Sequence, residues 1–215
     1  MLKKSVICIF DFGQSNIKIN LFIFKNLSLI KTYVYKNNFL IKKKNKKTFY
    51  EFENLAEFIK NKVKFLSKIF YLKHISCVSH GSSCFYIEKK KVYGANHHNS
   101  NLKIKKLDNE FTKILKKNLN TFTPSMDCFH NMGKNYFYVS KLNDNIKFLN
   151  LPSIISWIFM NKNISDKTYF GCHSYLWDFK NNKFSYLSNK IGKRSFPKIY
   201  KTGKKIGSFR IKQKN

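Results

Sequence analysis

The sequence predicts an α/β domain with a mixed sheet that opens as a three-strand antiparallel meander. Three observations predict it. Near the N-terminus, three runs of strand-forming residues follow one another with only short polar breaks between them. An amphipathic helical pattern comes next, over Leu55–Phe70. A further short strand run, Ile75–Ser79, follows that helix and returns the chain toward a sheet.

Ser5–Phe12 is apolar, rich in Ile, Val and Phe, and is bounded by Gly13-Gln14-Ser15. Asn16–Phe24 sets Asn16, Lys18 and Asn20 against Ile17, Ile19 and Leu21, the period of a half-buried strand. Leu27–Tyr35 reads as the third strand, and short breaks make antiparallel pairing the economical choice. Lys36–Tyr50 is polar and Lys-rich, so a loop is expected there. Asn54 and Glu57 have the spacing of a capping box at a helix start. Leu55, Phe58, Ile59, Val63, Leu66, Ile69 and Phe70 then share one face, with Lys60, Lys62, Lys64 and Lys68 on the other. After Ile75–Ser79 come His80-Gly81-Ser82-Ser83 and a strand pair, Cys84–Glu88 and Val92–Tyr93. Three antiparallel strands, a helix and another strand is the opening of a ribonuclease-H-like, actin-like α/β fold. Farther on, Leu107–Leu119, Gly133–Leu142 and Pro152–Met160 predict helices, the last with Pro at its tolerant N-terminus. Asp178–Tyr186 reads as a loop turning at Asn181-Asn182.

Composition narrows the function classes. With 43% hydrophobic and 17% aromatic residues, the 215-residue chain can bury a core and is no disordered polyelectrolyte. No apolar run approaches the roughly 18 residues needed to span a bilayer, and Val6–Phe10 is too short for a signal-peptide core. Cys8, Cys77, Cys84, Cys128 and Cys172 are scattered with no CxxC pair, the pattern of free thiols in a reducing cytoplasm. The formal charge of +31 rests on 40 Lys and only 2 Arg. The chain also holds 25 Asn, 22 Ile and 22 Phe but just 2 Ala, the signature of A/T-rich codons, so genome composition accounts for most of the lysine excess. The lysines are spread along the chain apart from Lys42–Lys47 and Lys89–Lys91. With Arg194 and Arg210 alone, bidentate reading of phosphate or guanine has almost no instrument. A dedicated nucleic-acid surface is therefore not expected. A non-enzymatic basic module for RNA or other polyanions stands as the alternative reading.

The sharpest chemical constellation is Asp11-Phe12-Gly13-Gln14-Ser15-Asn16-Ile17-Lys18, between two predicted strands. A carboxylate at a strand end can hold a water on Mg²⁺, Gly lets backbone approach phosphate, and Ser, Asn and Lys supply donors to the same anion. Read alone, such a segment is more often a plain hairpin turn of DxG type. His74, Cys77 and His80 are spaced by three, which on a strand turns successive members to opposite faces and argues against a shared metal. His97, His98 and His130 lie in polar segments without further pattern. Trp157 and Trp177 suit packing.

The Asp11–Lys18 segment resembles the first phosphate loop of the FGGY carbohydrate kinases. Three further segments resemble that family in order. Val78-Ser79-His80-Gly81 resembles its "HG" substrate loop, followed by a hydrophobic hairpin, and Asn131-Met132-Gly133-Lys134 resembles its "N-x-G-(R/K)" segment. Leu151-Pro152 through Trp157, Ser165-Asp166-Lys167-Thr168 and Gly171-Cys172-His173-Ser174-Tyr175-Leu176-Trp177-Asp178-Phe179 resemble its "LP…W…(S/T)(D/E)xT…GCHTxLWDF" stretch.

The resemblance implies ATP and Mg²⁺ as cofactors and a sugar or polyol as substrate. It assigns Asp11 to Mg²⁺ through water, Gly13, Gln14, Ser15, Asn16 and Lys18 to phosphate, and His80 and Gly81 to the sugar. It further implies an actin-like domain over residues 1–195, with 196–215 (Phe196-Pro197, then Lys201–Gly207) leading toward a second domain. The family's general base is an Asp of that second domain, and none of Asp11, Asp127, Asp144, Asp166 or Asp178 matches it. A separately encoded second kinase half is one expected partner, the other readings being a fragment or the remnant of a decaying gene, and without its second half the chain is expected to be inactive.

Overall fold

The computed structural model describes residues 2–42, 48–81, 83–88, 91–96, 105–117, 120–121, 132–142, 145–172 and 174–211. Residues 43–47, Ser82, Lys89, Lys90, His97, His98, Asp127, Cys128, His130, Asn131, Asp144 and His173, singled out above, lie outside them.

Strands β1 (Ser5–Phe12), β2 (Asn16–Ile23) and β3 (Leu29–Lys36) are followed by a small hairpin, β4 (Leu40–Lys42) and β5 (Thr48–Tyr50). Helix α1 (Phe52–Ile69) then leads to β6 (Tyr71–Ser79). The sheet order is β3-β2-β1-β6, with β1 antiparallel to β2, β2 antiparallel to β3 and β1 parallel to β6. Alternation along β1 buries Val6, Cys8, Phe10 and Phe12 on one face and leaves Ile7, Ile9 and Asp11 half-buried on the other. Ile17, Ile19 and Leu21 of β2 continue the buried face. Against it α1 lays Leu55, Ile59, Val63 and Leu66.

Two local expectations are corrected here. Residues 36–50 are not one loop, because β4 and β5 pair antiparallel within them. The helix does not start at an Asn54–Glu57 capping box. It begins at Phe52, and Glu51, at the N-cap, makes no side-chain capping bond, its carboxylate accepting instead from Asn54 Nδ2 at 2.8 Å. A cap is worth about 1 kcal/mol, whereas each large buried aliphatic side chain contributes about 1.5–3 kcal/mol. The packed face therefore decides where α1 stands.

A second region follows: β7 (Ser83–Glu88), β8 (Lys91–Asn96), α2 (Lys105–Leu115), α3 (Met132–Leu142) and β9 (Lys147–Asn150). A 3₁₀ turn over Leu151–Ser153 carries Pro152 into α4 (Ile154–Met160). Then come β10 (Ile164–Asp166), α5 (Lys167–Gly171), β11 (Trp177–Asp178), β12 (Lys183–Phe184), α6 (Tyr186–Ile191) and β13 (Lys198–Tyr200). The expected 178–186 loop is a tight hairpin, with β11 and β12 paired antiparallel and Asn182 at φ 49° in its turn.

The β8-β7-β9 sheet stands between two cores. Phe85, Ile87 and Leu149 join the core under β1, while Cys84 and Phe148 join a second core with Phe111, Tyr136, Phe137, Phe170, Trp177 and Phe196. Period-two alternation thus makes one strand a wall shared by both. Residues 196–211 pack back on this body: β13 runs parallel to β10, and Phe209 stacks on Phe159 with centroids 4.3 Å apart.

Candidate functional site

The Asp11–Lys18 segment closes the β1–β2 hairpin. Gly13 N–H donates to Asn16 O at 2.9 Å, leaving Gln14 and Ser15 as the exposed two-residue loop. Here the glycine is required by proximity: a Cβ on Gly13 would sit 2.8 Å from the Asn16 carbonyl oxygen. Asn37 grips the turn from beneath, its backbone N–H donating to Ser15 O and its Nδ2 to Gly13 O, both at 2.8 Å. With those carbonyls turned inward to Asn37, the tip of the loop faces solvent. Lys18 is the direct cross-strand partner of Asp11, on the same face of the sheet, and is exposed.

Among the described residues no three His, Cys, Asp or Glu side chains converge on a metal site. The donor set at Asp11, one half-buried carboxylate beside hydroxyl, amide and ammonium groups, fits a water-held Mg²⁺ shared with phosphate and does not fit a cation caged by protein alone.

The His80–Gly81 loop leaves the end of β6, which lies alongside β1. His80 N–H donates to Phe12 O at 3.0 Å, so this loop begins one hydrogen bond from the Gly13 turn. The imidazole lies against Tyr50, with Nε2 2.8 Å from the Tyr50 hydroxyl and Nδ1 3.1 Å from Gly81 O and 3.4 Å from Ser83 Oγ. Tyr50 belongs to the core beneath Phe10 and Phe12, whereas alternation turns Asp11 to the other face. Backbone joins the two loops, and side-chain direction separates Asp11 from His80. From the second region, Tyr169 donates its hydroxyl to Ser83 O at 2.9 Å and stations it beside the loop. Burial raises the Tyr50 and Tyr169 phenols, and nearby hydrogen bonds from Asn37 and Ser79 respectively oppose that rise. Burial, and after it the Asp11 carboxylate, push the Cys77 thiol well up.

The remaining family-like segments pack against one another. A Cβ on Gly133 would lie 1.8 Å from Ser174 O, so the start of α3 rests directly on the Gly171–Phe179 stretch. A Cβ on Gly171 would come within 2.6 Å of the Phe179 ring and 2.8 Å of Trp177 Cβ. Asp166 caps α5, accepting from Thr168 N at 2.8 Å and Tyr169 N at 3.1 Å. Asp178 accepts from Asn181 N at 2.9 Å and Asn181 Nδ2 at 2.8 Å, which lowers its carboxyl below the ordinary range. Asp166 and Asp178 are thus held by backbone amides of their own segments. Sequence reasoning missed Asn37, Tyr50 and Tyr169, since one Asn among 25 and two Tyr among 12 carry no local signal.

No family model and no curated protein matches the chain. Solved structures do. A carbohydrate kinase from Novosphingobium aromaticivorans superposes with TM-score 0.82 at 16% identity, covering 97% of this chain and 45% of that one. A xylulose kinase from Lactobacillus acidophilus gives 0.76 at 14% identity, covering 96% and 44%. Plasmodium falciparum glycerol kinase with ADP gives 0.71 at 13% identity, covering 96% and 45%. The chain has the fold of the N-terminal half of FGGY-type carbohydrate kinases, and spans less than half the length of those proteins.

Proposed function

We propose that the chain is the N-terminal, actin-like half of an ATP-dependent sugar kinase. In this reading the γ-phosphoryl of ATP passes to a hydroxyl of a sugar or polyol, with Mg²⁺ neutralising phosphate charge. Asp11 orders Mg²⁺ through water, the Gly13–Asn16 turn and Lys18 contact phosphate, and the His80–Gly81 loop lines the sugar side. In this reading the general base belongs to a second half that faces these loops, and the reaction takes place in the cytoplasm. One observation carries the reading: the His80 N–H to Phe12 O bond sets the two loops side by side at the ends of adjacent parallel strands. Ligands of open α/β sheets bind at such strand ends.

The test follows backbone amide resonances of the chain while MgATP is added, and then a panel of pentoses, hexoses and polyols. Expected are shifts confined to Asp11–Lys18 with MgATP, lost in Asp11→Ala, and no sugar-dependent ATP consumption by the chain alone. General-base catalysis is worth about 10²–10⁴-fold, and positioning across two domains adds to it. Unmoved Asp11–Lys18 amides at millimolar MgATP would remove the nucleotide reading. Turnover by the chain alone, abolished in Asp11→Ala, would show that its own residues complete the catalytic apparatus.

A further inference from the structure

We propose that Asn37 and Tyr50 are positioning residues that lock the Gly13–Asn16 turn to the His80–Gly81 loop, and that the His80 imidazole serves this lock instead of presenting a ring nitrogen to a substrate hydroxyl. The inference deepens the reading of those two loops as one site. It also changes the part played by His80, which the family resemblance assigns to the sugar.

The connections form a closed circuit. Asn37 Nδ2 donates to Gly13 O at 2.8 Å and stands 3.5 Å from the Tyr50 hydroxyl, so one carboxamide serves both. The Tyr50 hydroxyl reaches His80 Nε2 at 2.8 Å, and His80 N–H returns to Phe12 O, next to Gly13. With the imidazole neutral, Gly81 sets the donor and acceptor roles, since the Ser83 hydroxyl, 3.4 Å from Nδ1, can accept as readily as donate. The Gly81 carbonyl oxygen, 3.1 Å from Nδ1, can only accept, so Nδ1 carries the proton. Nε2 then has a lone pair and no hydrogen, and Tyr50 must donate to it. The phenol can do so because burial keeps it protonated. In turn its oxygen is left to accept from Asn37. In this tautomer the hydrogen bonds from Asn37 through Tyr50 to His80 run in one direction.

The circuit has a structural consequence. Tyr50 is 3% exposed and packs on Phe85 with centroids 5.8 Å apart, so the hydroxyl is held by the core itself. A displacement of the His80 loop must therefore pull on Tyr50, Asn37 and then the two carbonyls that shape the phosphate turn. The sequence places these residues 13 and 30 apart, on the β3–β4 connection, the end of β5 and the end of β6. Only the assembled sheet makes them neighbours.

The test is long-range ¹H–¹⁵N correlation of the His80 imidazole in the intact chain without ligand, with wild type, Tyr50→Phe and Asn37→Ala compared. Wild type is expected to show the Nδ1–H tautomer in about tenfold excess or more, the bias that a directed hydrogen bond sets. Tyr50→Phe removes one oxygen and no packing volume, so the fold persists. It should reduce the Nδ1–H excess, to the part that the Gly81 carbonyl maintains alone, and shift the Gly13 and Ser15 amides. Asn37→Ala should shift the same amides while leaving the tautomer of His80 in place. A merely structural Tyr50 would lower the melting temperature with tautomer and turn resonances unchanged. That result, or an Nε2–H tautomer in wild type, overturns the lock. Because no nucleotide is present, the outcome is separate from the MgATP titration: a lock without nucleotide shifts keeps the coupling and removes the kinase reading.

Discussion

The core under the β3-β2-β1-β6 sheet is mainly aliphatic and is delivered by long elements, while the core around α3 is more than half aromatic and draws on many short elements besides α2 and α3. Long strands and an 18-residue helix repeat their apolar positions often enough to define a face. The second region adds to the 11-residue helices α2 and α3 strands of two to four residues and helices of five and six. Elements this short repeat no period, so large rings, caps and glycine contacts hold them. Aromatic side chains bury much area from a single position, which suits segments that offer only one or two inward positions each.

The strongest test of this contrast empties one ring position on each side. Phe10→Ala and Phe148→Ala should each cost about 3–5 kcal/mol. Because β7 serves both cores, thermal unfolding should stay a single transition in both variants. Separate transitions, monitored by calorimetry, would make the two cores independent units.

Next in size is a close contact peculiar to the second region. Gly133→Ala should cost about 2–3 kcal/mol, since its Cβ would meet backbone rather than a movable side chain. Urea unfolding checks this, and a change below about 0.5 kcal/mol, the size of an ordinary surface substitution, would separate α3 from Ser174 in solution.

Smaller still is the capping contrast. Asp166→Ala should cost about 1 kcal/mol because α5 depends on its cap. Glu51→Ala should stay within about 0.5 kcal/mol, because α1 is held by its buried face. Equal losses would mean that helix length does not decide which device matters.

The smallest effect is one of pH. Hydrogen bonds from Asn181 lower the Asp178 carboxyl in the folded chain, so the ionised group stabilises the hairpin. That stabilisation is present above the ordinary aspartate range and is lost as pH falls through the lowered folded value. Asp178→Asn should therefore lower the melting temperature near neutrality, and the gap from wild type should close below about pH 4, the ordinary aspartate range. A gap independent of pH would deny the carboxylate its part.

Within the candidate site, the same division separates what could be read from what could not. Asp11, Gly13 and Lys18 stand close together in one hairpin, and the alternation of β1 and β2 brings Asp11 and Lys18 opposite each other. The His80–Gly81 loop could be named as a loop, and its place beside Gly13 depends on β6 pairing parallel to β1 across some 60 intervening residues. Asn37, Tyr50 and Tyr169 could not be picked out. Their roles consist of hydrogen bonds to groups distant in sequence, and nothing in an isolated Asn or Tyr announces such a partner. The Gly171–Phe179 segment carried the longest family-like pattern, yet its described residues serve packing: Gly171 admits the Phe179 and Trp177 side chains, and Ser174 receives α3.

By itself the sequence determined the strands β1 to β3, the apolar face of α1 and the turn between Asp11 and Lys18. Each is a periodic or local pattern whose physics acts over a few neighbouring residues. Only the tertiary structure decided where α1 begins, which short segments share the aromatic core, and that the His80 ring turns inward to Tyr50. Those outcomes depend on contacts between residues far apart along the chain, where burial and hydrogen-bond geometry outweigh local preference.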